Sequence, residues 1–194
     1  MTELYLDIET TGVNFERDSV IAVALQPVSP NGRAEGDLEV LSRWELGGEK
    51  QVLEQVVERG VFDFGLNPFD CILTGTNLLF DLSFLITRMM ALGIRNWTVQ
   101  EVFSFLRRRP MKDLKYTLVF MNGGKFKDSG LDTFTTKKRT SGRIVLELWQ
   151  KQDFPAIERY IRDDAEGFLD VYRQIAPALS DLGKNVRRPM SLPR

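Results

Sequence analysis

The spacing of apolar and polar positions assigns most of this chain to elements before any chemistry is considered. Leu4-Tyr5-Leu6-Asp7-Ile8 is a β-favouring run that predicts a buried strand, closed abruptly by Thr10-Thr11-Gly12. A polar stretch to Asp18 leads into a second buried strand over residues 20–25. Pro27, Pro30, Asn31 and Gly32 mark a turn, and residues 38–46, with Trp44 among them, read as a third strand. These three strands predict an antiparallel meander, ended by Gly47-Gly48. Val52, Leu53, Val56 and Val57 then recur at helical spacing over residues 49–58, up to Gly60. Residues 71–74 predict a short strand stopped at Gly75. Helices follow over residues 80–92, 98–109 and 116–121, the second turning Val99, Val102, Phe103 and Leu106 inward. Beyond a polar, basic segment over 125–143 and a short element at 144–150, a long helix is expected from about Pro155 to Leu182. Residues 1–182 thus predict one domain, and the basic, proline-containing residues 183–194 a mobile tail.

A meander followed by helix, strand and helices predicts an α/β fold: a mixed sheet of antiparallel meander plus parallel strands, flanked by helices. This order of elements is compatible with a ribonuclease H-like architecture. One feature of the first strand does not serve packing. Asp7 and Glu9 stand at i and i+2, so their carboxylates share one face of the strand. Adjacent like charges on a half-buried sheet repel, and a buried carboxylate without compensation is costly. A divalent cation reverses that balance, because hard carboxylate oxygens suit magnesium and manganese. The alternative is an edge strand carrying two solvated acids.

Composition narrows the chemistry. The chain has 194 residues, 43% apolar and 27% charged, and a formal net charge of −1, so binding of a polyanion has to come from local patches or bound metal. No apolar run reaches a membrane span and no leader precedes the first strand, which predicts a cytoplasmic protein. Cys71, the single cysteine, excludes an internal disulfide and reads as a small core residue. Histidine is absent, which removes imidazole both as base and as metal ligand. Any metal site must be built from oxygen.

Two further positions repeat the acidic theme. Asp81 opens the helix after the fourth strand, and Tyr160 and Asp164 lie one turn apart on a face of the last helix. Singly, Asp81 also fits a first-turn helix acid, Tyr160 a core aromatic and Asp163-Asp164 a solvated face. Together they could hold two divalent ions ~4 Å apart, bridged by Asp7, that activate a water and stabilise the leaving oxygen of an in-line attack on phosphorus. Tyr160 would orient that water.

Asp7-Ile8-Glu9-Thr10-Thr11-Gly12, Asn77-Leu78-Leu79-Phe80-Asp81 and Tyr160-Ile161-Arg162-Asp163-Asp164-Ala165 resemble the three motifs of the DEDD 3′–5′ exonucleases, in their tyrosine branch. The chain is most similar to the proofreading domain of family B DNA polymerases, here standing alone. Met111-Lys112-Asp113-Leu114, Gly130-Leu131-Asp132 and Leu148-Trp149 also sit where that domain has similar segments. The resemblance implies Asp7, Glu9, Asp81 and Asp164 as ligands of Mg2+ or Mn2+, two ions per site, and Tyr160 as the residue that positions the nucleophilic water. It further implies that Thr10, Thr11, Gly12, Asn77 and Phe80 contact the 3′-terminal nucleotide.

The expected activity is 3′–5′ hydrolysis of single-stranded DNA to nucleoside 5′-monophosphates, with RNA as the alternative substrate. A replication or repair protein is a further possible partner. Lys125, Lys127, Lys137, Lys138, Arg139 and Arg143 are candidates for a basic track, or form a solvated loop. A module of another class, one that binds nucleic acid without cleaving it, is set against the retention of all four carboxylates and the tyrosine.

Overall fold

The computed structural model describes residues 2–62, 71–134 and 143–186. Five strands make one sheet in the order β3-β2-β1-β4-β5, with β1 at Thr2–Thr10, β2 at Val20–Val28, β3 at Glu39–Ser42, β4 at Cys71–Gly75 and β5 at Met111–Asp113. β1, β2 and β3 pair antiparallel as the meander requires, whereas β1–β4 and β4–β5 are parallel. The helices are α1 (Arg43–Leu46), α2 (Glu49–Glu58), α3 (Leu78–Ala91), α4 (Val99–Arg108), α5 (Leu114–Met121), α6 (Leu131–Phe134), α7 (Arg143–Gln150) and α8 (Phe154–Val186). α8 extends past the expected end at Leu182 and takes in the first residues of the anticipated tail. The remaining residues of that tail lie outside the described residues.

The strand pleat sorts side chains into two cores. Leu6 and Ile8 of β1 join Val23 and Leu25 of β2 and the apolar stripes of α2 and α3 on one face. Tyr5 points the other way, with Ile21, Ala22 and Ala24, into a core closed by Ile161, Ala165, Phe168 and Tyr172 of α8. β2 is buried almost throughout, as expected of a strand covered on both faces.

Three expectations are corrected. The third strand stops at Ser42 rather than continuing to residue 46; residues 43–46 turn into α1, and Trp44 stacks on Phe154 with ring centroids 5.3 Å apart and planes at 6°. In α4 the buried stripe is Val102, Phe105 and Leu106, because Phe105 docks on the buried Phe62 ring at 5.5 Å. That rotation leaves Val99 and Phe103 in solvent instead of the core. Cys71 is half-buried and unbridged rather than a core residue. β5 was not expected as a strand. Its three residues are fixed by pairing with β4 at Leu73, Thr74 and Gly75.

Candidate metal centre

β1 outruns β4. The parallel ladder pairs Thr2–Tyr5 of β1 with Cys71–Thr74, so the C-terminal half of β1 has no strand on that side. Gly75 makes the departure possible: a Cβ there would lie 2.7 Å from the Leu6 carbonyl oxygen and 2.8 Å from Leu78 Cδ2. Asn77 then takes a left-handed conformation (φ 65°), a region that asparagine tolerates, and starts α3. The α3 first turn drops Asp81 onto the bare edge, where its Oδ1 accepts a hydrogen bond from the Ile8 amide at 3.2 Å.

Asp7 and Glu9 share the Tyr5 face, towards α8. There the helix and strand run as a ladder. Tyr172 donates to Glu3 Oε2 at 2.5 Å, and Phe168 lies on Tyr5 with centroids 4.7 Å apart. Asp164 meets Asp7 and Glu9: one ligand oxygen from each of the three lies within 4.8 Å of the others. The spacing is arithmetical, since eight residues of helix and four of strand both cover ~12–13 Å. Tyr160 stands one turn before Asp164, half-buried against the same core.

Asp81 is not one of that trio; it backs it. Only 4% exposed, its carboxyl is pushed well above the usual value first by burial and then by the Asp7 charge, with Asp113 adding to this and the Ile8 amide opposing it. A cavity of about 190 Å3 opens between Tyr5, Asp7, Thr76, Leu131 and Asp164. The Thr76 hydroxyl on its wall is buried and has no hydrogen-bond partner among the described residues. Three clustered carboxylates, a fourth held in a low-dielectric site and an orphaned hydroxyl beside them fit a divalent cation and its hydration shell. Nitrogen or sulfur ligands have no place in this donor set.

The expected nucleotide contacts lie in the turns that follow β1 and β4, and none of them lines the cavity itself. Thr10 Oγ1 donates to the Gly12 carbonyl at 2.6 Å, and Thr11 Oγ1 accepts from the Ser19 amide at 2.9 Å, so the Thr-Thr-Gly turn is closed from within. Gly12 leaves room for Asp18: a Cβ would lie 2.3 Å from that carboxylate and would push it aside. The Phe80 ring is half-buried, edge-on to Phe15 at 5.6 Å. The Asn77 amide donates to Asp113 Oδ1 at 2.7 Å, and the same oxygen caps α5 through the Lys115 amide. Thr76 and Asp18, which braces the turn, carry no motif of their own. Asp113 falls within the Met111-Lys112-Asp113-Leu114 segment of the resemblance, but its role as a brace and helix cap shows only once α5 is seen to start at Leu114. Lys137, Lys138 and Arg139, and the Arg143 side chain, lie outside the described residues.

No family model and no curated protein matches this sequence. Solved structures match by fold. Escherichia coli exonuclease I, in a zinc-bound complex with single-stranded DNA, superposes with a TM-score of 0.56 at 13% identity, covering 95% of this chain and 42% of that one. The same enzyme with a dT13 oligonucleotide gives 0.54 at 13%, covering 95% and 42%. A product-bound exonuclease I gives 0.54 at 14%, covering 95% and 46%. The chain therefore spans less than half the length of these structures. The sheet that brings Asp7, Glu9 and Asp164 together is the ribonuclease H-like fold that exonuclease I also has.

Proposed function

We propose that this chain is a metal-dependent 3′–5′ exonuclease that hydrolyses single-stranded DNA to nucleoside 5′-monophosphates. The observation that carries the reading is the approach of Asp164 to Asp7 and Glu9 within 4.8 Å, from opposite ends of the sequence. Likeness in fold to an exonuclease held on single-stranded DNA supports it. Asp7, Glu9, Asp81 and Asp164 would hold two Mg2+ or Mn2+ ions. Such ions supply a lowered water pKa and neutralise charge that develops on the leaving oxygen. Tyr160 is assigned to orient the attacking water, since no histidine exists to do so. The water oxygen attacks the terminal phosphodiester phosphorus, the bond to O3′ of the preceding nucleotide breaks, and that oxygen takes up a proton. Thr10, Thr11, Gly12, Asn77 and Phe80 are assigned to the departing nucleotide. A cytoplasmic setting belongs to the proposal; a lone cysteine leaves no internal disulfide that needs an oxidising compartment.

The test is digestion of 5′-labelled single-stranded and duplex DNA and RNA, with Mg2+ or Mn2+ and with chelator. The expected result is a 3′-shortened ladder from single-stranded DNA, dependent on metal and lost in Asp7→Ala. Cleavage that persists in excess chelator overturns the metal mechanism. A preference for RNA reassigns the substrate, and binding without cleavage in any metal points to a non-catalytic module.

A further inference from the structure

Segment 114–130 leaves one wall of the 190 Å3 cavity and returns to another. It begins where Asp113 is bonded to Asn77, next to Thr76, and ends at Leu131, which faces Asp7 and Asp164 across the cavity. Leu114, Leu118 and Val119 anchor α5 in the core, yet its other side carries Tyr116, 66% exposed, and Phe120, 84% exposed, one turn apart. Phe126, 63% exposed, meets the Tyr116 ring edge-on at 6.5 Å. The turn that presents Phe126 is tied down: Asn122 Nδ2 donates to the Lys127 carbonyl at 2.9 Å and to Ser129 Oγ at 3.0 Å, and Ser129, fully buried, donates to the Lys125 carbonyl at 2.5 Å. Three exposed aromatic rings, two of them in contact and the third one helical turn away, make an apolar patch on a braced support, the kind of surface that marks an interaction site. Lys115, Lys125 and Lys127 against Asp128 leave this segment positive in a chain whose net charge is −1.

We propose that Tyr116, Phe120 and Phe126, with Lys115, Lys125 and Lys127, form the track on which single-stranded nucleic acid stacks as it enters the carboxylate cavity. The proposal rests on the nuclease reading of that cavity and deepens it by naming what holds the strand. Aromatic faces accept any base, and lysines meet phosphates without reading sequence, so the track favours unpaired strands irrespective of sequence. A duplex keeps its base faces stacked away from such rings.

Binding of a 5′-fluorescein-labelled dT oligomer to the full chain is followed by fluorescence anisotropy in chelator, where the proposed chemistry is silent. Tyr116→Ala and Phe126→Ala are each expected to weaken binding by about 10-fold, within the range of a lost stacking contact. Tyr116→Phe keeps the ring and should restore it. Lys125→Gln and Lys127→Gln should each flatten the slope of log K against log salt by about 0.7. Phe103→Ala, which removes an exposed aromatic ring on α4, is the control and should change nothing. Unaltered binding in the Tyr116 and Phe126 variants, equal loss in Phe103→Ala, or no binding by the wild-type chain overturns the track. Metal is then added to the same samples. Cleavage with binding insensitive to Tyr116 and Phe126 refutes the track and leaves the nuclease. Binding that depends on them without cleavage refutes the nuclease and leaves the track.

Discussion

Tyr172 donates a 2.5 Å hydrogen bond to Glu3, a carboxylate only 1% exposed, and Lys112 donates to both residues. Burial and the Glu3 charge push the Tyr172 phenol far above its usual value, so it stays a donor throughout the working range. This contact sits two rungs below Asp164 on the ladder between α8 and β1 and sets the height of the helix. Tyr172→Phe is expected to cost about 1–3 kcal/mol in urea unfolding, because Glu3 loses a donor it cannot replace with water. Lys112→Met should cost about 3 kcal/mol or more by removing the cation that, among the described residues, is paired with that carboxylate.

Asp81 makes the metal-free protein sensitive to pH. Its folded-state pKa is raised, so its contribution to stability is complete below the unfolded-state value and is lost as pH rises through the folded-state one. Thermal unfolding in chelator should therefore show this loss as pH rises above the ordinary carboxylate range, and Mn2+ should restore stability more at the higher pH. Asp81→Asn retains an acceptor for the Ile8 amide without the charge. In chelator it should raise Tm and remove the pH effect, and in metal it should abolish the proposed nuclease activity.

Gly75 controls where α3 starts. Gly75→Ala forces a methyl group against the Leu6 carbonyl and Leu78, at an expected cost of about 1–3 kcal/mol, and displaces Asp81 with the helix start. Stability and activity should fall together. In Gly60→Ala the new Cβ meets nothing within 4 Å, so only the left-handed backbone (φ 72°) resists, and activity should be unchanged.

Tyr160→Phe separates orientation from metal binding. Calorimetric titration with Mn2+ should match the wild-type chain, while kcat falls about 100-fold, the scale expected when a reactant is mispositioned. Asp164→Asn should lose both, since it contributes one of the three clustered oxygens.

Asp7 and Glu9 were legible because two acids within an apolar strand are costly. Asp81 and Asp164 singly fitted a first-turn helix acid and a solvated face, and joined them through the resemblance. Asp7 and Glu9 interrupt an apolar strand at a spacing of two, and Tyr160 and Asp164 share a helix face at a spacing of four. The long-range terms were not legible. Nothing in the residues around Asp81 announces that it caps the Ile8 amide, because that bond depends on β4 ending early. β5 is too short and polar to leave a period, and it exists only through its pairing with β4. Trp44 looked like a strand residue because its partner, Phe154, lies far along the chain. Val99 and Phe103 fitted a helical stripe as well as Phe105 did, and the Phe62 ring, distant in sequence, favours the second phase.

The unequal lengths of β1 and β4 make the width of the sheet a variable that the helix reads out. Extension of the β1–β4 ladder from Tyr5 up to the level of Ile8 would bring a backbone carbonyl to the Ile8 amide and evict the Asp81 carboxylate from it, with no acid altered. A substitution that merely lengthens an edge could thus silence the centre from outside it, and strand registry near Gly75 is as much a part of the ligand set as the carboxylates.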